Sequence, residues 1–572
     1  SGSDFGAYDT TNGVTTFAGY ATPVDIDTAL ASDVVKVAAG TTGLTATANR
    51  TLRGLALTDT APRTLASTAN NTLTISSGAI LAAGGVTHTL AIPRLNFVTT
   101  PSVTTTNASA NVTTASTAGF AVGQVITGTG IPGNAFITGI TNATTFTISA
   151  NATASGTVTA TTYAPAFVTV DTATTLNLTG AVVSNSDLTK QGAGTLTVSR
   201  KQYYGGQTTI LGGTLKLGAG DNTLWAGGSN LLNVETNGTL DLNGTTQLVG
   251  RLISLGTASN AGGTITNTSA TAANFVTNMN GARQTFMGAI TGANLSFTRI
   301  GGFTLEFGSA QTFGGATALA GGTLTLRDDG AFTNTSAITL NYATLSIDNN
   351  SNFRIQNNNR LNDTAPITMR GGSLTLQGLA YQAATETVGA LTVAQGDNNI
   401  TLSHAGGTFW STDLTVASLT RSAGTTFNVT GNQQGLPGNA THLYFTTAPA
   451  TLSRGLLGAW AISSSTDYLA YNTGLGIGAV GTGGFVGYDA DFGPGKLTQI
   501  PVQSDTTLTL AANTSSAVLR LAGRAVNNIG FATANTVLNL ELGGLLRSND
   551  GGFASSIGTV AARGVLTAGG SA

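Results

Sequence analysis

Residues 188–217, LTKQGAGTLTVSRKQYYGGQTTILGGTLKL, decide the fold because the same pattern returns without a gap at residues 297–326, FTRIGGFTLEFGSAQTFGGATALAGGTLTL. The constant shift of 109 positions aligns Gly192 with Gly301. Each copy contains short segments in which apolar and polar residues alternate, and glycines that can turn the chain precede these segments. The stretch therefore predicts short β-strands separated by tight turns and repeated along the chain.

A shorter unit, Gly-Thr-Leu-x-Leu with its variants, sets the period of the repeat. It begins at Gly213, Gly238 and Gly263, two successive steps of 25 residues, and no helical pattern lies between the copies. Such a period is typical of a solenoid, whose coils each add a strand to parallel sheets with a spacing of about 4.8 Å. At about 25 residues per coil, we expect about 20 coils in an all-β fold, a parallel β-helix.

The composition favours a long body that contacts other molecules. Only 8% of the 572 residues are charged, the net charge is −2 and 77 residues are glycine. Because charged residues usually keep an isolated protein soluble, this scarcity indicates surfaces that bind something or lie in an assembly. Lys and Arg are not clustered, so we expect no nucleic-acid partner. The lack of cysteine excludes disulfides and fits an extracellular protein, and no apolar run is long enough for a transmembrane helix.

The two ends of the chain carry related sequences. Residues 4–14, DFGAYDTTNGV, match residues 467–477, DYLAYNTGLGI, at a shift of 463, and a second match follows at a shift of 465. We therefore interpret residues 467–550 as a duplicate of residues 4–85, a unit of several coils.

The repeated sequence pattern of the solenoid is interrupted between Phe97 and Phe167. This segment has strand signals and a Gly-Ile-Pro turn, lacks the Gly-Thr-Leu-x-Leu unit, and contains a predicted hairpin around Asn142. We interpret it as a compact β module inserted in the loop of one coil, with an irregular pair of coils as the alternative. The chain then divides into N-terminal coils (1–96), the inserted β module (97–167), central coils (168–430) and C-terminal coils (431–572).

The paired segments LTKQGAGTL, which begins at Leu188, and YGGQTTI, which begins at Tyr204, resemble the autotransporter-associated β-strand repeat. That resemblance implies a right-handed parallel β-helix of the passenger type in a secreted bacterial protein, located outside the cell or on its surface. The inserted segment is similar to small β modules of phage, virion and large bacterial surface proteins.

An enzymatic role would need clustered carboxylates, because parallel β-helices also include polysaccharide lyases and hydrolases. The best pairs are Asp328 with Asp329 and Asp489 with Asp491, and both lie in turns where we expect solvated side chains. The histidines lack the spacing of metal ligands. We therefore expect no catalytic residues, no cofactor and no metal site. The three histidines are His88, His404 and His442.

Three functions remain, each from a different class. The repeats and the composition favour a structural subunit of an extracellular bacterial filament or surface layer, whose partners are copies of itself joined head to tail. A surface adhesin, whose inserted module at 97–167 binds glycans or a host cell, is the alternative. A carbohydrate-active β-helix enzyme is the further alternative.

The ends of the solenoid are the predicted subunit contacts. A strand at residues 456–462 precedes the C-terminal copy, and no equivalent strand precedes Asp4. An uncapped coil exposes apolar interior and unpaired backbone groups, to which the strand-like segment 563–568 of another copy could add. A head-to-tail contact of this kind would yield a filament. The predicted contact residues are Asp4, Phe5 and Tyr8 at one end and Gly564, Val565, Leu566 and Thr567 at the other.

Overall fold

The chain forms β-solenoids in a computed structural model. The structure describes residues 4–9, 11, 13–22, 25–37, 39–117, 120, 122–183, 187–225, 230–351, 353–405, 410–500, 506–522, 527–548, 555–558 and 563–569. The chain divides into two compact units, Ser1–Gly314 and Gly315–Ala572. Apart from short 3₁₀ turns at Ile26–Thr28 and Ser453–Gly455, the regular structure of these residues is β-strand. Among them, no helix has the length and apolar character needed to cross a membrane.

The first unit contains a solenoid and, within it, the inserted module. Its strands outside the module are Gly6–Asp9, Gly13–Thr16, Tyr20–Ala21, Val34–Val37, Thr45–Ala46, Arg50–Leu57, Thr64–Ser67, Thr72–Ala82, Thr87–Leu90, Arg94–Asn96, Ala166–Val170, Thr175–Leu178, Ala181–Val182, Leu188–Gln191, Thr195–Val198, Thr208–Leu217, Leu232–Asp241, Thr246–Val249, Leu252–Ile253, Thr264–Thr266, Ala273–Asn278, Gln284–Phe286, Ala289–Ile290, Leu295–Ile300, Leu305–Phe307 and Ala310–Gln311.

The second unit is also a solenoid of short strands. These are Thr317–Ala320, Thr323–Arg327, Ala331–Phe332, Ile338–Asn341, Thr344–Asp348, Ile367–Arg370, Ser373–Gly378, Ala384–Val388, Leu391–Gln395, Asp397–His404, Thr412–Val416, Leu419–Arg421, Thr426–Gly431, Thr441–Phe445, Ala461–Ser463, Asp467–Asn472, Gly476–Ala479, Leu497–Ile500, Thr506–Leu510, Thr514–Leu521, Asn527–Phe531, Val537–Arg547, Ser556–Ile557 and Val565–Ala568.

Successive coils pair in parallel and place like residues opposite each other. The strand Thr195–Val198 has a parallel neighbour on each side, so that Leu196 stands opposite Leu176 and Leu215. The next coil places Leu240 opposite Leu215, 25 residues along the chain. All four leucines are buried, because alternate side chains of a strand point to the same face and here that face is the interior. The pairing confirms the predicted parallel β-solenoid.

The second unit contains an equivalent ladder of apolar side chains. Five consecutive parallel strands place Leu324, Leu345, Leu374, Ile400 and Val429 in one row, and all five are buried. Burial of a side chain of this size contributes about 1.5–3 kcal/mol relative to exposure, so each coil is stabilised mainly by the coils above and below it.

Buried cations occupy equivalent places in the two copies of the 30-residue pattern. The Nζ of Lys190 donates hydrogen bonds to the carbonyl oxygens of Gly192 at 2.7 Å and Gly212 at 2.8 Å. Arg299, 109 residues further on, donates from Nη1 to the carbonyl oxygen of Gly301 at 3.0 Å. Burial lowers the pKa of Lys190 to about 8 and that of Arg299 to about 10. The cations therefore satisfy carbonyl groups that the glycine corners turn into the coil interior.

The inserted module is antiparallel and has its own core. Phe120 and Phe146 stack at 4.7 Å between ring centres, in an apolar cluster with Val112 and Ile126. Its strands are Val98–Thr99, Ser102–Thr105, Asn111–Thr114, Val125–Thr127, Ile137–Asn142, Thr145–Ile148, Gly156–Thr159 and Thr161–Tyr163, and these form one sheet of five strands and one of three.

The module departs from a single coil and returns to it. The strand Thr72–Ala82 pairs in parallel with Arg94–Asn96 through its first half and with Ala166–Val170 through its second half. Between those two partners, the backbone nitrogen of Ala164 donates to the carbonyl oxygen of Phe97 at 3.0 Å and closes the base of the insertion. Phe167 lies in the solenoid strand that follows this base.

We expect the solenoid to fold without the module. Joining Phe97 to Ala164 by a short Gly-Ser bridge, in place of residues 98–163, should leave its circular dichroism and thermal unfolding nearly unchanged, because the two joined residues already contact each other. Insolubility of this variant, or loss of its β-sheet signal, would show that the solenoid depends on the module.

Candidate functional sites at the solenoid ends and on the module

The carboxylate at Asp328 is not solvated, which corrects the expectation from the sequence. Its backbone lies in the left-handed region of a turn, with φ of 52°, and its side chain is buried in an ion pair with Arg327. It also accepts a hydrogen bond from the backbone nitrogen of Phe353 at 3.1 Å. Replacing Asp328 and Asp329 by Ala would leave a buried cation without this partner, so the change is expected to destabilise the second unit.

Four of the remaining sequence candidates also have structural partners, whereas Asp329 is exposed, as the sequence predicts. In the described residues, no group of three or more His, Cys, Asp or Glu side chains could hold a metal ion. The contacts are Asp489 with Arg454, Asp491 with Lys496, and His442 with Asp413 at 2.7 Å. His88 is buried and donates from Nε2 to the carbonyl oxygen of Ala83 at 2.8 Å.

A buried polar centre around Glu386 was not found from the sequence. Its two carboxylate oxygens accept hydrogen bonds from the backbone nitrogens of Arg360 at 2.9 Å and Leu361 at 3.0 Å. The guanidinium of Arg360 donates to Asn349 Oδ1 at 2.8 Å and to the carbonyl oxygen of Gly330 at 2.6 Å. These contacts join residues 360 and 361 to Asn349, to Gly330 and to the strand Ala384–Val388. Burial raises the pKa of Glu386 to about 7 and lowers the pKa of Arg360.

A signal for this site was present in the sequence. The strand Ala384–Val388 buries Ala384, Glu386 and Val388 and exposes the two residues between them. Glu386 therefore occupies the inward parity of the strand, between two apolar residues, where a carboxylate requires hydrogen-bond donors.

We predict that Glu386 makes stability depend on pH. Because burial raises the folded-state pKa to about 7, folding should be most favoured below the ordinary value of 4.5, where the carboxyl group is neutral in both states, and should weaken as pH rises through about 7. The loss should be on the order of 3 kcal/mol at most. Denaturant unfolding between pH 4 and 8 should show this slope in the wild type and a flatter dependence in Glu386→Gln.

A matched control for that measurement is Glu235→Gln, which replaces a half-buried carboxylate that accepts a hydrogen bond from Leu255 N at 3.1 Å. We expect this variant to retain the slope of the wild type. Equal slopes in the wild type and in Glu386→Gln would contradict the assignment.

The predicted contact residues Asp4 and Phe5 belong to a cluster around Tyr20. The hydroxyl of Tyr20 donates to the carboxylate of Asp4 and accepts from the backbone nitrogen of Phe5 at 3.1 Å. Lys36 Nζ lies 3.6 Å from Asp4 Oδ2 and 4.7 Å from the ring centre of Tyr20. Burial, followed by the hydrogen bond to Asp4, raises the pKa of Tyr20 to about 12. Tyr20 and Lys36 were not predicted as members of this site.

The same arrangement recurs around Asp467, the counterpart of Asp4. The hydroxyl of Tyr488 donates to Asp467 Oδ1 at 3.3 Å and accepts from the backbone nitrogen of Tyr468 at 3.2 Å. Arg520 supplies the cation, with Nε 3.0 Å from Asp467 Oδ1 and its guanidinium 5.3 Å from the ring centre of Tyr488. Burial raises the pKa of both tyrosines. The shared letters Phe-x-Gly-Tyr at residues 17–20 and 485–488 were the sequence signal for this cluster.

The strands beside the two clusters pair in the same register. Gly6 stands opposite Thr16 in an antiparallel hairpin, and shifting both numbers by 463 gives Leu469 and Ala479, which are also paired. Tyr8 lies in the first strand of that hairpin, opposite Val14, and its side chain lies outside the described residues. From the matching clusters and hairpins, we infer that one structural unit occurs at both places.

A longer strand in each region extends this match. Thr72–Ala82 and Val537–Arg547 each span 11 residues. Both pair in parallel with a preceding strand, Arg50–Leu57 or Thr514–Leu521, across an irregular step in the register. The side chains of Asn49 and Asn513 each accept from the first backbone nitrogen of the long strand, both at 2.9 Å.

The other predicted contact residues lie on or beside the strand Val565–Ala568 in the second unit. This strand pairs in parallel with Val537–Arg547, and no described strand pairs with its other edge. Val565 and Leu566 are 38% and 46% exposed. Thr567 Oγ1 donates to Asn539 Oδ1 at 2.9 Å, whereas Gly564 lies against the ring of Phe531.

An apolar surface occurs on the inserted module. Val125 and Phe136 face each other across an antiparallel bridge and are 37% and 45% exposed. Val122 and Ile140 are also exposed large apolar residues of the module. Val125 and Phe136 thus form an exposed apolar pair, and neighbouring exposed apolar side chains are typical of sites that bind another molecule.

The chain is similar to part of a known surface protein. Over 159 residues, 27% of its length, it is 36% identical to the adhesin BmaC autotransporter of Brucella suis biovar 1 (strain 1330), and the match covers 4% of that protein. No protein-family profile and no solved structure matches the chain. The similarity therefore relates this chain to a short part of an autotransporter adhesin and does not extend to the specific repeat family expected from the sequence.

Proposed function

We propose that the protein is an adhesin displayed outside a bacterial cell or on its surface, with the solenoid as a stalk and the inserted module as the binding element. The observation that carries this proposal is the similarity to an autotransporter adhesin, combined with the all-β solenoid. The proposal replaces the filament subunit favoured by the sequence, because the relative is an adhesin.

The module is suited to binding because the solenoid holds it at a fixed base. Both flanking strands are part of the parallel sheet, so the module is attached at two points rather than by a flexible tail. Because the module has its own apolar core, its outer side chains are not needed for packing. Among these, Phe136 is the large aromatic residue, and exposed aromatic side chains often contribute most of the binding energy at an interface.

The experiment compares binding of the intact protein and its variants to glycan arrays and to fixed epithelial cells. We expect Phe136→Ser to weaken binding at least about fivefold, because removal of an exposed aromatic anchor loses apolar contact without disturbing the module core. The matched control is Phe303→Ser, which removes an aromatic side chain that is 47% exposed outside the module. Unchanged binding by Phe136→Ser and by the variant lacking residues 98–163 would contradict a binding role for the module.

A structural subunit remains the second candidate function. The observation that favours it is the strand Val565–Ala568, which carries two exposed apolar side chains and pairs with one neighbour among the described strands. Truncation after residue 562 should then abolish any filaments seen by electron microscopy of the intact protein. Filaments that persist after truncation, or an intact protein that stays monomeric at high concentration, would remove this candidate.

A further inference from the structure

A small pocket lies between two successive coils of the first unit, outside the inserted module. The coils are joined at this place, because Gln202 N donates to the carbonyl oxygen of Thr223 at 2.8 Å. The pocket has a volume of about 240 Å³. Pockets that hold drug-sized ligands have volumes of about 300–1,000 Å³, so this one suits a single small ring. It is lined by Lys201, Gln202, Tyr203, Asn222, Leu224 and Trp225.

Two exposed aromatic side chains stand side by side in this lining. Tyr203 is 56% exposed and Trp225 is 46% exposed. Their ring centres lie 6.3 Å apart and their planes are inclined by 48°, so the rings do not lie flat against each other. Because exposure of apolar surface to water is unfavourable, a ligand that covers both rings gains free energy from their burial.

The second copy of the 30-residue pattern shows which lining residue the coil requires. Gln202 and Gln311, which align at the shift of 109, are both buried. Each side chain accepts a hydrogen bond from a backbone nitrogen of the preceding coil, from Val182 at 2.9 Å and from Ile290 at 2.7 Å. The glutamine therefore has the same structural role in both copies.

The exposed residues on either side of this glutamine differ between the copies. Ala310 stands in place of Lys201, and Thr312 stands in place of Tyr203. The coil therefore forms without a lysine and a tyrosine at these positions. Packing of the solenoid does not explain why both occur beside Trp225.

Lys201 gives the pocket a positive charge. Its side chain is exposed, and within the part of the chain that the structure describes it forms no ion pair. Asp221, next to Asn222 in the sequence, instead accepts a hydrogen bond from the backbone nitrogen of Thr246 at 2.7 Å. Aromatic rings also attract cations, but a cationic ligand would be repelled by Lys201. The charge therefore favours an anionic ligand.

We propose that this pocket binds a pyranose ring that carries a carboxylate, as in a uronic acid or a sialic acid of a glycan. The C–H face of the sugar packs against Tyr203 and Trp225, and its carboxylate pairs with Lys201. The side-chain oxygen of Asn222 accepts from Leu248 N at 2.9 Å, which leaves the amide nitrogen to donate to a sugar hydroxyl. This site is independent of the adhesive role proposed for the module.

The test measures binding of three methyl glycosides to the intact chain by saturation-transfer NMR. Two are acidic, the glucuronide and the sialoside, and the third is the glucoside, in which a hydroxymethyl group replaces the carboxylate of the glucuronide. We expect at least one acidic glycoside to bind, at least about twofold more tightly than the glucoside, and the one that binds identifies the sugar. No binding of either acidic glycoside, or equally tight binding of the glucoside, would overturn the proposal.

The second copy supplies the variants for this test. Lys201→Ala combined with Tyr203→Thr introduces the residues found at 310 and 312, so we expect the variant to fold, which circular dichroism checks. Its affinity for the acidic glycoside should fall at least about fivefold. Lys201→Ala alone should reduce the preference for the acidic over the neutral glycoside to about one. Unchanged affinity in the double variant would contradict the assignment of the site.

Matched controls locate the binding. Trp225→Ala should weaken binding of the acidic glycoside at least about fivefold, whereas Trp410→Ala, which removes a tryptophan that is 45% exposed elsewhere, should not. Phe136→Ser, which tests the module, should bind the glycoside as the wild type does. Loss of binding in Trp410→Ala or in Phe136→Ser, with Trp225→Ala unaffected, would place the glycoside elsewhere and overturn the proposal without deciding the role of the module.

Discussion

Parallel pairing of backbone groups between successive coils is the interaction on which the structure depends. Each coil is too thin to bury its own apolar side chains, so rows such as Leu176, Leu196 and Leu215 become a core only when coils stack in register. The same rule leaves one set of backbone groups unpaired wherever the stack stops. Ends and insertions are therefore places where a solenoid of this composition can interact with other molecules.

One structural unit is inferred at two places in the chain. Both copies keep an Asp–Tyr–cation cluster and the same hairpin register, although the cation comes from Lys36 in one and from Arg520 in the other. Because a cation lies beside the aspartate and the tyrosine in both copies, although a different residue supplies it, we infer that a positive charge at this position stabilises the cluster. In the C-terminal copy, residues 456–463 also pack against this unit.

The sequence predicted the solenoid because glycine corners and 25-residue steps are local signals that repeat. It did not predict Lys36 and Tyr20 as partners of Asp4, because the shared Phe-x-Gly-Tyr letters mark Tyr20 without showing what it contacts, and only three-dimensional contact joins the three residues. The prediction for Asp328 was wrong for a related reason. A turn in the sequence suggests an exposed side chain, whereas Asp328 is buried in an ion pair with Arg327. Glu386 was not predicted, although the alternation of its strand places it on the inward face. The backbone nitrogens that donate hydrogen bonds to it come from residues about 25 positions away in the sequence, which no local pattern indicates.

Amide hydrogen exchange of the intact protein and of its Leu196→Ser variant tests the central claim most directly. If each coil is stabilised by the coils above and below it, the substitution should speed backbone exchange in both strands paired with Thr195–Val198, at residues 175–178 and 214–217, and leave the module strand Thr145–Ile148 unchanged. Faster exchange confined to residues 195–198 would contradict the dependence of each coil on its neighbours.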